Sequence, residues 1–160
     1  MNVYVCASFC YEDKKKTSER KYVIEKTVER IKEKLGVEHR YYLPHQLTIP
    51  NAWDISMEDW AKAVFESDIA ELDLADLVIF LSFGKENNAG SVWEIGYTVG
   101  KAVKAANEND VPKIVMVKMT DEVESLMITN SLPRIISEKE IESYDWENLP
   151  HYKTTLSKLA

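Results

Sequence analysis

Short apolar runs of strand length alternate with longer segments of helical periodicity along most of this sequence, and that alternation leaves few folds open. The clearest run is Leu77-Val78-Ile79-Phe80-Leu81, inside an expected strand over Asp76–Phe83. An unbroken apolar strand belongs in a parallel sheet covered on both faces. Asn2–Ser8, rich in β-branched and aromatic residues, reads as the first strand, and His39–Leu43 as the second. Lys113–Val117 and Arg134-Ile135-Ile136 read as the fourth and fifth. Between them, Val23, Ile24, Val28, Ile31 and Leu35 repeat at helical spacing over Thr17–Leu35, with Gly36 as the C-cap. Met57–Leu74 and Ala89–Asn107 are the next helices, Asp121–Asn130 is a short one, and the tail reads as helical and frayed. Strict strand–helix alternation means right-handed crossovers onto a parallel sheet. The pattern therefore predicts an α/β fold, a doubly wound parallel sheet of about five strands with helices on both faces; the strand order stays open.

Ligands of such sheets bind beyond the carboxyl ends of the strands, where the strand order reverses. Three loops converge there: Ser8–Lys16, His45–Trp53 and Gly84–Gly90. The middle one belongs to a long connection, Pro44–Ser56, of a length that usually signals function. Trp53 within it is the candidate lid, whereas Trp60 reads as core packing. A net charge of −7 disfavours a nucleic-acid polymer as partner. Cys6 and Cys10, four apart, form no C-x-x-C pair, and His39, His45 and His151 lack ligand spacing, so neither a metal nor another cofactor is expected. No segment approaches a membrane span, and the apolar stretch Val3–Ala7 is too short for a signal sequence. The expected location is the cytoplasm.

Two carboxylates stand out. On Met57–Leu74 the residues Met57, Trp60, Ala61, Val64, Phe65, Ile69 and Leu72 form one apolar stripe, and an advance of about 100° per residue sets Asp68 near its middle. An ionised acid in a core costs several kcal/mol unless it is paired. Asp68 is thus either satisfied by a backbone donor or a lysine, or kept for chemistry. Glu94 has an equally plain structural account, because Ser91-x-x-Glu94 has capping-box spacing. Against it, Gly90, Gly96 and Gly100 crowd one helix, where each costs about 1 kcal/mol relative to Ala. Such glycines suit a close approach to the backbone, and a first-turn carboxylate would be held ionised by the helix dipole.

These residues together resemble the nucleoside 2-deoxyribosyltransferase family, from Val3 to about Ile128. Val3-Tyr4-Val5-Cys6-Ala7-Ser8-Phe9 resembles the family's pocket floor, and Trp60–Ile69 its acid-bearing helix. Gly90-Ser91-Val92-Trp93-Glu94-Ile95-Gly96-Tyr97, the most specific piece, resembles its nucleophile motif. The resemblance implies one flavodoxin-like deoxyribosyltransferase-like domain over residues 1–160, acting on a deoxynucleoside or deoxynucleotide and a free nucleobase. Glu94 would attack the anomeric carbon and form a deoxyribosyl ester, Tyr4 would orient Glu94, and Asp68 would protonate the leaving base. Ala7, Ser8, Phe9, Gln46 (with His45 beside it), Asn88, Gly90, Ser125 and Met127 would contact substrate. Met127 would reach in from a neighbouring subunit of a homo-oligomer, a dimer or an assembly of dimers with shared sites.

Two positions depart from the transferase pattern. Asn88 stands where many transferases have Asp, six residues before the nucleophile, and Ser125 stands in place of a later Asn. Both surround the expected 5′ end of the sugar, and a missing carboxylate removes repulsion toward a 5′-phosphate. The related deoxynucleoside 5′-monophosphate N-glycosidases have small hydroxyl residues at both places, and a Gly- and Arg-rich first loop. Here that loop, Cys10-Tyr11-Glu12-Asp13-Lys14-Lys15-Lys16, has neither residue type. Base transfer between deoxynucleosides ranks first and hydrolysis of monophosphates second. A catalytically silent nucleotide-binding or sensing module is the reading from another class, and the trio Tyr4, Asp68 and Glu94 speaks against it.

Overall fold

The pleat sends alternate residues of a strand to opposite faces, and both faces here are apolar. The computed structural model describes residues 1–9 and 13–152. Its strands are β1 (Asn2–Ala7), β2 (Arg40–Tyr42), β3 (Leu77–Ser82), β4 (Lys113–Lys118) and β5 (Ile135–Ser137). All pair in parallel, in the order β2-β1-β3-β4-β5. Every residue of β3 is buried, as its unbroken apolar run requires. This is the flavodoxin-like order, and its direction reverses between β1 and β3. That junction is where a ligand crevice is expected.

Helices α1 (Lys14–Leu35), α2 (Met57–Leu74), α3 (Ala89–Lys104) and α4 (Leu126–Ser131) make the crossovers. On one face Ile24, Val28 and Ile31 of α1 pack on Val3, Val5, Leu77 and Ile79. On the other, Leu72 of α2 and Ile95 of α3 pack on Tyr4, Cys6, Val78 and Phe80. α1 begins three residues before its expected start because the Asp13 side chain accepts from the backbone N–H groups of Lys15 and Lys16. It ends at Gly36, whose φ of 129° is open to glycine and strained for other residues. Ser56 caps α2 through the Asp59 N–H, so both ends of that helix fall where the periodicity placed them.

Three expectations change. The apolar stripe of α2 is not a core stripe along its length: Leu72 is its one fully buried residue, and Met57, Trp60 and Phe65 are exposed. A crossover helix starts beyond the carboxyl edge of the sheet, so only its later turns reach the strands. Trp60, read as core, therefore stands at the site. Residues 121–125 do not join α4, because buried Glu124 anchors that stretch by accepting 2.5 Å from Ser82 Oγ. The described tail to residue 152 is a 3₁₀ turn (Glu138–Glu140) and irregular chain. There Asp145 turns the chain by accepting from the N–H groups of Glu147 and Asn148, and Ile141, Trp146 and Leu149 complete the α1 face. The tail expected beyond residue 152 lies outside the described residues. No helix among them is long and apolar enough to cross a membrane.

Candidate active site

The end of β1 and the start of α3 are tied together by side chains of Ser8, Asn88 and Ser91. Asn88 caps α3, its Oδ1 accepting from the Ser91 N–H at 2.9 Å. Its own N–H donates to Ser8 Oγ at 2.9 Å, its Nδ2 donates to the Phe9 carbonyl at 3.3 Å, and the Ser8 and Ser91 hydroxyls bond to each other. Ser8 and Ser91 are both buried. The effect is to lay the second turn of α3 over β1.

Glu94 is the sixth residue of α3, so the capping-box and first-turn readings both give way: Asn88 holds the cap, and the first turn has no acid. The Glu94 carboxyl is half-buried, and its Oε2 accepts from Cys6 Sγ at 2.8 Å. Burial pushes its pKa up to about 7; the Cys6 thiol opposes that, Asp68 adds to it, and Tyr4 opposes it. The helix dipole does not keep this group ionised. The buried Tyr4 ring packs against Tyr42 with centroids 5.3 Å apart. Its hydroxyl makes no hydrogen bond of standard geometry among the described residues, yet lies near enough to Glu94 for each to shift the other's proton affinity. Asp68 is half-buried and accepts from the Tyr42 hydroxyl at 2.8 Å. Burial raises its pKa and the Tyr42 bond lowers it.

Both carboxylates line one cleft of about 680 Å³ at the carboxyl edge of the sheet. β1 contributes Ala7 and the following Phe9, and the chain after β3 contributes Asn88, Gly90 and Ser91. The connection after β2 adds His45, and α2 adds Trp60 and Val64. The three loops expected to converge do so, with residues 10–12 of the first outside the described set. His45 stacks at a tilt on Phe9, centroids 4.6 Å apart. Tyr4 and Ser8 lie behind the cleft rather than on its wall, and Gln46 is exposed beside it. Ser125 and Met127 are not brought to this cleft; both are exposed, Met127 at 81%. Lys14, Lys15 and Lys16 are exposed in the first turn of α1. Among the described residues no cluster of His, Cys, Asp and Glu could hold a metal ion.

Residues 3–127 match the family described as nucleoside 2-deoxyribosyltransferase. The chain belongs to that family. The structure is similar to that of a 2-deoxyribosyltransferase from the psychrotolerant bacterium Bacillus psychrosaccharolyticus, with a TM-score of 0.69 and 23% identity over 93% of this chain and 96% of that one. It is also similar to Clostridium botulinum CMP N-glycosidase, BcmB, with a TM-score of 0.52 and 16% identity over 88% of this chain and 93% of that one. At these identities the likeness is one of fold. No curated protein matches the chain.

Within this deoxyribosyltransferase-family fold, four residues of the site escaped the sequence reading, two bonded to the carboxylates and two on the cleft wall. Cys6 shares the inward face of β1 with Tyr4, two residues away, which was a usable signal. Tyr42 carries no motif and finds Asp68 only through the pairing of β2 with β1. Thr17 and Lys21, four apart on α1, both line the cleft. The glycines of α3 have a different meaning from the one expected: a Cβ at Gly96 or Gly100 meets open space, and one at Gly90 meets only Asn88 Oδ1 at 3.4 Å. No contact within the described chain would keep a side chain from these three positions. Trp53 is 99% exposed and does not cover the carboxylate cleft. Trp93 lies between Phe65 and Tyr97 on the outer surface, with centroids 5.6 and 5.4 Å away.

Proposed function

We propose that this protein cleaves the N-glycosidic bond of 2′-deoxynucleosides and passes the sugar to another base. The observation that carries this reading is the pair of half-buried carboxyls, Glu94 and Asp68, on one cleft with an aromatic wall at Phe9 and His45. A Glu94 oxygen attacks the anomeric carbon as the bond to the base nitrogen breaks, and the bonding pair leaves with the base. Asp68 supplies the proton that the departing base takes up. A second base then attacks the same carbon, expels the Glu94 carboxylate and returns a proton to Asp68, with retention overall. Phe9 and His45 give the base a stacking surface. The reading takes residues 1–160 as one domain and needs no cofactor.

A second copy of the chain fits the reading too. Leu126 and Met127, 77% and 81% exposed, put two apolar side chains in water beside the sheet edge, and Phe65 and Trp93 do so on α2 and α3. Apolar residues grouped in this way suit a partner surface. A neighbouring subunit is the source proposed for Met127 at the cleft, and for Ser125 at the sugar's 5′ end.

Hydrolysis of a deoxynucleoside 5′-monophosphate is favoured by a separate observation: the cleft carries Lys21 and a neutral Asn88. Asn88→Asp keeps an acceptor for the Ser91 N–H and adds a negative charge near the proposed 5′ end. Affinity for a monophosphate should fall about tenfold or more while that for the parent nucleoside stays within about twofold. Calorimetry with both ligands checks this, and an unchanged ratio of affinities removes the 5′-end argument.

Chromatography separates the two readings. The protein is incubated with each 2′-deoxynucleoside and each 5′-monophosphate, with and without a different free base. A new deoxynucleoside formed only with the acceptor base supports transfer. Base released from monophosphates alone replaces it with hydrolysis, and no turnover of any of them returns the fold to a binding role.

A further inference from the structure

We propose that Cys6 is a positioning residue for the Glu94 carboxylate: its thiol donates to Oε2 and holds the carboxyl oriented and charged for attack. The inference rests on the reading of Glu94 as nucleophile. Cys6 is fully buried on β1, paired in register with Phe80 of β3, so backbone pairing on a central strand fixes where its sulfur sits. The sulfur has two acceptors within reach, Glu94 Oε2 at 2.8 Å and the Ser91 carbonyl at 3.3 Å. A thiol has one hydrogen, so it serves one of them at a time.

That single hydrogen gives the contact a direction. While Glu94 is a carboxylate, a charged acceptor draws the hydrogen more strongly than a neutral carbonyl does. Once Glu94 becomes an ester with the sugar, it is neutral and the Ser91 carbonyl competes on even terms. When the acceptor base expels the carboxylate, the thiol turns back to it. Cys6 thus favours the charged form at the start of the first step and at the end of the second. Water cannot take over this task, since no solvent reaches the sulfur.

The thiol also suits a nucleophile better than a hydroxyl would. It is a weak donor, so it orients the carboxylate while withdrawing little of its electron density. The other titratable groups around Glu94 are Tyr4 on β1, Asp68 on α2 and, beyond it, Tyr42 on β2. Lys21 and His45 stand on other walls of the same cleft. Cys6 stands within hydrogen-bond distance of Oε2, and burial pushes its own pKa well above the usual thiol range, which keeps the hydrogen on the sulfur.

The test uses the whole chain with ¹³C-labelled glutamate carboxyls, the Glu94 signal being assigned by its loss in Glu94→Gln. Cys6→Ala should raise the Glu94 titration midpoint by about one unit and lower kcat at pH 6 by about tenfold with little change in KM. Cys6→Ser, nearly the same size and a stronger donor, should bring the midpoint back to the wild-type value or below it. A midpoint and an acid limb of the pH–kcat profile that do not move in Cys6→Ala overturn the proposal, as does a Cys6→Ser protein that titrates like Cys6→Ala. If the wild-type protein turns over no deoxyribosyl substrate, the proposed function falls on that result, while the titration midpoints still decide whether Cys6 governs Glu94.

Discussion

Glu94→Gln is expected to lose at least about a thousandfold in kcat on every substrate the wild-type protein turns over, which corresponds to about 4 kcal/mol of barrier. The amide keeps the shape of the side chain and leaves an acceptor for the Cys6 thiol, but it cannot form the sugar ester. Steady-state kinetics with a binding assay makes the check, because ligand affinity should survive. The same variant should be more stable than wild type in alkaline solution. The Glu94 pKa is about 7 in the fold and near the ordinary carboxyl value of 4.5 when unfolded, so between those values the native state holds more protons. The contribution of this group is fully present below the unfolded pKa and is lost as pH rises through about 7. Replacing it with a neutral amide removes that loss, a gain on the order of 1–3 kcal/mol at pH 8 that narrows toward pH 5. Thermal melts at the two pH values measure it. Activity lost alongside stability gained separates a nucleophile from a structural acid, since removing the latter weakens the fold. Retained turnover sinks the proposed role.

The raised pKa also sets the direction of the pH–rate profile. A carboxylate nucleophile works only when ionised, so kcat/KM should fall as the solution is acidified through about pH 7. In the proposed mechanism Asp68, whose own pKa burial raises, has the opposite requirement, since as the acid it must carry the proton. Two acids in one cleft at different depths and with different partners, Cys6 for one and Tyr42 for the other, can divide those tasks.

Most of the fold was legible because it rests on periodicities local to each segment. α2 runs from Met57 to Leu74 in both readings, and β3 declares itself by five consecutive apolar residues. The strand order was not legible, since which strands pair is decided by long-range packing. The missed details share that cause. Trp60 sits on an apolar stripe, but only the sheet's edge determines which part of a stripe is covered. Glu94 fell one turn later in α3 than the capping-box spacing suggested, because Asn88 and Ser8 hold each other across 80 positions of sequence. Within the cleft, Asp68 was found from its misplaced charge and Glu94 from its glycine-flanked motif and the resemblance it carries, while Tyr42 and Cys6 were missed because an ordinary buried Tyr or Cys looks the same in a sequence. Met127 and Ser125 were singled out by resemblance alone, and one copy of the chain gives them nothing to touch at the cleft.

The sharpest separation between chemistry and scaffolding comes from Asp68→Asn, which should slow turnover by about 10²–10⁴-fold for neutral bases. A departing neutral base leaves with the bonding pair and needs a proton on its ring, and Asn has none of suitable acidity to give. The size of the loss should therefore follow the base, greatest where the departing anion is most basic. A deoxyribosyl substrate whose base is already cationic, such as a 7-methylated purine, needs no proton and should react at close to the wild-type rate. The Tyr42 hydroxyl, which donates to Asp68 Oδ1 at 2.8 Å, can donate equally to the Asn carbonyl, so the side chain keeps its anchor. That makes the cationic substrate a control for position as well as for chemistry. A loss equal for neutral and cationic bases gives Asp68 a structural role, placing the cost in the arrangement of α2 and β2 rather than in proton transfer. A loss confined to neutral bases, with a slope against leaving-base basicity steeper than wild type, makes it the acid of the first step.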